Sequence, residues 1–260
     1  PNGFKFCKKI FGNKVSIVPY VMPGFDLARK INEVYSKQPN INCLILLNHG
    51  IFTFADDAKK SYDLMIKYVS DAEKAIKKLR SKKIKQIKKF KTNFRPHEIA
   101  PILRGLLSED KDQKFIINYR SNKNLNYFIN GKNVRSYSSK GTAPPDHVIR
   151  VKPFPLIISP KQNCSIEDFK ILAEKAFKDY RKKYVKYFNI NKSKVKEKKT
   201  MLDTSPRVIL VQNVGLFSVG NSLNASKIAG DLTETNARVI SSVEETSKYK
   251  FIPEKDLFDV

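Results

Sequence analysis

Ile41-Asn42-Cys43-Leu44-Ile45-Leu46-Leu47-Asn48-His49-Gly50-Ile51-Phe52-Thr53-Phe54-Ala55-Asp56-Asp57-Ala58 decides how the first part of this chain folds. Cys43 to Leu47 is a continuous apolar run, short enough to be a strand buried on both faces. Gly50 lets the backbone turn sharply. Ile51 to Phe54, β-branched and aromatic, gives a second short strand. Asp56 and Asp57 are candidate N-caps for a helix. On that helix Ala58, Tyr62, Met65, Val69, Ala72 and Ile76 recur at spacings of three and four, which makes one apolar stripe. The order is strand, His-Gly turn, strand, helix. A histidine at the end of a buried strand is held at the rim of a sheet. There its imidazole can ligate a metal or take a proton, or it can be a structural group bonded to a loop carbonyl.

Composition bounds the rest. The 260 residues suffice for one large domain or two small ones, and 41% hydrophobic content suffices for a core. No apolar run approaches the roughly 20 residues that span a bilayer, and residues 1–20 lack the apolar centre of a signal peptide. The 3 cysteines, Cys7, Cys43 and Cys164, are far apart and odd in number, which argues against a disulfide framework or a zinc ribbon and for a reducing, cytoplasmic setting. The net charge of +25 suggests a nucleic-acid partner. Only about ten of the 50 basic residues are arginines, however, and the lysines are spread along the chain, so a lysine-rich solvated surface is the favoured reading. The chain begins at Pro1 and stops at Val260, and both ends are expected to be cuts from something longer.

Upstream, Val15–Val18 reads as a strand, followed by a loop through Pro23-Gly24 and a short helix carrying Leu27, Ile31 and Val34, with Asp26 as its cap. Downstream, the helix starting near Asp57 is expected to run through Arg80 to Phe90 with a basic tail. Arg95-Pro96-His97 punctuates the chain, so the domains expected are 1–92 and 93–260. In the second, Glu98–Leu107 is a helix candidate and Lys114–Tyr119 a strand. Asn122–Val134 is a polar stretch with a short helix. His147-Val148-Ile149-Arg150-Val151-Lys152 alternates and reads as a strand. Phe154–Ser159 is apolar, Ser165–Phe188 is a long helix, Asn189–Thr200 a lysine-rich linker, and Val208–Val211 a strand before a turn and a last helix.

That closing segment echoes the opening one. Gly50, Ile51, Phe52 and Thr53 align with Gly215, Leu216, Phe217 and Ser218 at a constant offset of 165 residues. An apolar strand precedes each and a helix follows each. His49, however, is matched by Val214. The expectation is two copies of one structural unit, the second without the histidine.

Ile17-Val18-Pro19-Tyr20, Leu27-Ala28 and Leu46-Leu47-Asn48-His49-Gly50-Ile51-Phe52, followed by a helix, resemble the C-terminal half of the class II aldolase/adducin domain. Longer strings, among them Val18–Ala28, Gly50–Tyr62, Pro145–Lys152, Val214–Gly220 and Leu257–Val260, resemble the aldolase part of bifunctional rhamnulose-1-phosphate aldolase/short-chain dehydrogenase proteins. The resemblance covers nearly the whole chain. It implies an α/β fold: a class II aldolase-like α/β/α three-layer sandwich, present as its C-terminal half, followed by a degenerate second copy. It implies a carbon–carbon lyase that cleaves a phosphorylated ketose such as rhamnulose 1-phosphate to glycerone phosphate and an aldehyde. It further implies a divalent metal, usually Zn2+, held by three histidines, a catalytic glutamate upstream, and a homo-tetramer.

The departures matter. The 3 histidines are His49, His97 and His147, and no His-x-His pair is present. By resemblance His49 is the third metal ligand, with the pair and the acid/base glutamate expected upstream of Pro1. One imidazole does not close a metal site, so the chain by itself is expected to be inactive. No Gly-x-x-x-Gly-x-Gly dinucleotide loop appears. His147, Arg150 and Lys152 are a second candidate cluster, as an anion site or as the second copy's counterpart of the metal histidines. The alternative reading is structural: His147 bonded to Asp146 or backbone, and the two cations solvated. His97 is assigned a structural role. A non-catalytic, adducin-like oligomerising scaffold is the competing function.

Overall fold

The computed structural model describes residues 3–108 and 114–260. The chain forms two compact units that divide between Lys82 and Lys83. The segment 83–92, assigned to the first domain from sequence, therefore belongs with the second unit. There Ile87 N donates to Asn130 O and Lys132 N to Lys85 O, both at 2.8 Å.

In the first unit, α1 (Gly3–Phe11) leads through a 3-10 turn to β1 (Ser16–Val18), α2 (Phe25–Lys37), β2 (Cys43–Leu46), β3 (Gly50–Thr53) and α3 (Ala58–Leu79). The sheet order is β1-β2-β3, with β1 parallel and β3 antiparallel to β2. Alternation along β2 sorts its side chains. Leu44 and Leu46 pack with Val18 and with Leu27, Ile31 and Val34 of α2. Cys43 and Ile45 pack with Tyr68 and Leu64 of α3 and Phe11 of α1. Helices thus cover both faces of the sheet. Asp57 caps α3 by accepting from Lys60 N at 2.9 Å.

Two expectations fail on α3. It ends at Leu79, short of Phe90. Its apolar stripe is turned outward: Tyr62 is 65% exposed and Val69 and Ile76 are exposed too, whereas the buried contact is made by Tyr68. Spacing found a stripe but could not tell which of two neighbouring stripes meets the sheet.

The second unit continues with α4 (Pro96–Leu107), β4 (Ile116–Arg120), α5 (Lys123–Ile129), α6 (Val134–Tyr137), α7 (Val148–Val151), β5 (Leu156–Ile158), α8 (Ile166–Asn191), β6 (Val208–Val211), β7 (Gly215–Gly220), α9 (Leu223–Thr246) and α10 (Glu254–Asp259). Its sheet runs β4-β7-β6-β5, with β5 parallel to β6 and the other pairs antiparallel. Leu156, Ile158, Ile209 and Phe217 face α4 and α8, whose Ile99, Leu103, Phe169 and Phe177 form the larger core. Ile157, Leu210 and Leu216 face α5 and α9. Ser165 caps α8 in a capping box with Asp168.

The strand expected at 147–152 is not formed. Pro145–His147 is a 3-10 turn and Val148–Val151 a single helical turn. Pro144-Pro145 fixes two φ angles, and Lys152 closes the turn at φ +62, so the alternating pattern never extends.

Candidate functional site

The His49 turn is built by the β2–β3 pair. Leu46 is in register with Gly50, which leaves Leu47, Asn48 and His49 as the loop. Asn48 takes φ +67 and Gly50 φ +158, both in the region that suits Asn and Gly. His49 N donates to Leu46 O at 3.0 Å, and Leu47 N donates to Val18 O at 3.0 Å, which ties the turn to the end of β1.

The imidazole is half-buried, and it stacks on Tyr20 with ring centroids 5.5 Å apart and planes 13° apart. Its Nε2 lies 2.8 Å from Val21 O. A carbonyl only accepts, so Nε2 carries the hydrogen. Neutral His49 then keeps its lone pair on Nδ1. A backbone carbonyl that holds one ring nitrogen and leaves the other free is the arrangement found behind metal-ligating histidines. It also satisfies a purely structural histidine.

The second unit contains the same turn. Val211 is in register with Gly215, and Gln212, Asn213 and Val214 form the loop. Asn213 takes φ +62 and Gly215 φ +151. Val214 N donates to Val211 O at 3.1 Å, and Gln212 N donates to Ile158 O at 3.0 Å, as Leu47 does to Val18. The surroundings differ. A Cβ on Gly50 would meet nothing within 4 Å, whereas one on Gly215 would sit 2.7 Å from Arg120 O and 3.0 Å from Tyr119 Cε2. Tyr119 Oη donates to Val214 O at 3.0 Å, Asn213 N donates to Asn130 Oδ1 at 2.7 Å, and Val214 is 9% exposed. The first turn is open and carries an imidazole. The second is closed by β4 and carries a valine.

His147, Arg150 and Lys152 are not brought together on a strand. Arg150 is exposed. His147 Nδ1 is buried and meets no hydrogen-bond partner among the described residues. Lys152 is only 3% exposed. Its Nζ donates to Asp203 O and, at 2.8 Å, to Ser205 O; it stands 3.6 Å from Asp203 Oδ1 and 4.2 Å over the Tyr184 ring. Arg207 pairs with the same carboxylate. Burial, reinforced by the Arg207 charge and opposed by Asp203, lowers the lysine to about 7. Burial alone would raise the Asp203 carboxyl, but the hydrogen bonds from Arg207 and the two cationic charges outweigh it and hold the group below the usual carboxylate range. Sequence reading missed this cluster because Asp203 and Arg207 lie in a loop with no periodicity. Burial pushes the Cys43 thiol up to about 12, which removes it as a nucleophile at neutral pH. His97 lies in the first turn of α4.

Among the described residues no group of three or more His, Cys, Asp or Glu is placed to hold a metal ion. His49 can supply one donor, so no chemical step can be assigned to a cation held by this chain alone. No helix among the described residues is long and apolar enough to cross a membrane.

Residues 94–260 match the family model described as "Aldolase class II, second domain". Residues 3–76 match "Class II Aldolase and Adducin N-terminal domain". The chain belongs to the class II aldolase/adducin family. It is also similar to an uncharacterized oxidoreductase, YuxG, of Bacillus subtilis (strain 168), with 26% identity over 269 residues. That similarity covers 100% of this chain but 38% of the relative.

Proposed function

We propose that this chain is the part of a metal-dependent aldolase that carries the His-Gly turn, within a carbon–carbon lyase acting on a phosphorylated ketose such as rhamnulose 1-phosphate. Family membership supports an aldolase-type function, and it favours that over the adducin-like scaffold. The observation that carries the reading is His49: an imidazole on an open turn, with Nε2 committed to Val21 O and Nδ1 left as a lone-pair donor. In this reading His49 is one of three imidazoles on a zinc or similar divalent ion, and the others, with the acid/base glutamate, come from residues outside this chain. The first unit, which ends at Lys82, is proposed to be the C-terminal half of the family's three-layer α/β/α domain. Residues 93–260 are proposed to be a degenerate copy, a view that the shared turn dihedrals and hydrogen bonds support. The oxidoreductase name of the longer relative supports an origin in an aldolase/dehydrogenase fusion. A cytoplasmic homo-oligomer completes the proposal.

The test uses the whole gene product. Zinc content should be about one equivalent per chain and fall to near none in His49→Ala, with aldol cleavage of rhamnulose 1-phosphate lost alongside. Undiminished zinc in His49→Ala removes the ligand role. Full metal loss without any cleavage activity in the parent protein removes the lyase role and keeps the ligand.

A further inference from the structure

The second unit has a cleft that none of this chemistry uses. A cavity of about 460 Å³ opens beside β5, the edge strand of its sheet, between α6 and α8. Arg135, Lys175 and Lys183 line it together with the hydroxyls of Ser139 and Ser159, and Leu156, Leu172 and Tyr180 supply apolar wall. Lys175, Asp179 and Lys183 fall four residues apart on α8, so they share one face of the helix.

Two of the three cations are held by neighbours, while Lys175 is exposed on α8. Arg135 Nη2 donates to Ile157 O and to Ser159 Oγ, each at 3.2 Å, which fixes the guanidinium across the free edge of β5. Lys183 Nζ sits 4.0 Å over the Phe154 ring. Among the described residues none of the three cations has a carboxylate within ion-pair distance. Asp179 lines the cleft without pairing with them, and Glu254, whose charge reaches Lys183, spends its Oε1 on Asn191 Nδ2 at 2.8 Å. Burial lowers the Lys183 ammonium; the Glu254 charge opposes this, and a smaller repulsion from Arg135 adds to it. Like charges that repel across a concave, partly apolar wall form a site that a bound anion relaxes.

We propose that this cleft binds a small organic phosphate, its phosphoryl oxygens taken by Arg135, Lys183 and Lys175 with the serine hydroxyls, and its carbon skeleton lying against Leu156, Leu172 and Tyr180. A guanidinium whose fork is fixed, two ammonium groups and two hydroxyls give the several convergent donors that a tetrahedral dianion accepts, and the volume is that of a small-ligand pocket. This site is independent of the His49 reading.

Calorimetric titration of the full chain with glycerol 3-phosphate, inorganic phosphate and glycerol tests it. Because the whole surface is basic, exposed Lys178 on the same helix provides the control. One saturable site for glycerol 3-phosphate is expected, with Kd raised at least about tenfold by Arg135→Gln and by Lys183→Gln, unchanged by Lys178→Gln, and no binding of glycerol. Inorganic phosphate binding as tightly as glycerol 3-phosphate would identify the phosphoryl group as the whole ligand; weaker binding would show that the apolar wall contributes. If Arg135→Gln does not fold by circular dichroism, Lys183→Gln with Lys175→Gln gives the same reading. Absence of saturable binding up to about 10 mM, or a loss short of tenfold in the folded cleft variants, overturns the proposal.

Discussion

Replacing Lys152 by methionine tests the reading of the second unit's most deeply buried cation. The ammonium donates to Asp203 O and Ser205 O, faces the Asp203 carboxylate and lies over Tyr184, at 3% exposure. Folding takes the group from 10.5 to about 7. At about 1.36 kcal/mol per unit the ceiling on the effect is roughly 5 kcal/mol. The sign follows from proton counting. Between the two values the unfolded chain holds the proton and the folded chain has released it, so stability rises with pH there and is flat below about 7. The upper part of that range is masked, because burial also raises Cys43 to about 12 and raises the buried tyrosines, and these groups destabilise the fold as their unfolded counterparts ionise. Between pH 7 and 9 the Lys152 contribution is about 2 kcal/mol, and the opposing contribution of the three raised cysteines, present in wild type and variant alike, cancels in the difference. Urea unfolding followed by circular dichroism at pH 7, 8 and 9 measures it. Lys183 contributes in the same direction, so the quantity read is the wild-type slope minus the slope of Lys152→Met. Parallel slopes would refute the argument and show that the four surrounding groups keep the ammonium charged throughout.

The paired turns give a second test: Gly50→Ala should cost about 1–2 kcal/mol through its positive φ alone, whereas Gly215→Ala adds a backbone clash at 2.7 Å and should cost at least about 2 kcal/mol more, by denaturant midpoint. Phe169→Ala removes a fully buried ring from the core between α8 and the sheet and should cost about 3–5 kcal/mol on the same assay. Asp57→Ala removes the cap of α3 and should cost about 1 kcal/mol, with helical ellipticity lost from the first unit.

The parts of the fold written in local patterns were legible. Cys43–Leu47, the His49-Gly50 turn and the strand after it, the long helix from Ser165, and Val208–Val211 all follow from short-range rules, and all form with ends shifted by at most a few residues. The parts that needed tertiary knowledge were not. The alternation from His147 to Lys152 fits a strand, yet two prolines and a left-handed Lys152 give a helical turn. The α3 stripe was found but its orientation was not, since Tyr68, outside the stripe, meets the sheet. Of the candidate site, His49 was legible because a strand end fixes it. Its bond to Val21 O was not, because that loop has no period. The cation cleft was invisible: Arg135 and Lys183 stand far apart in sequence and meet only across the edge of β5.

Tyr119 standing over Val214, with Arg120 pressed against Gly215, has a consequence for anyone wishing to equip the second hairpin with an imidazole. A single codon change from valine to histidine would not do it. The valine is buried in the apolar core, so an imidazole there would be larger and would put polar nitrogens among apolar neighbours. The second hairpin is walled in by the strand beside it.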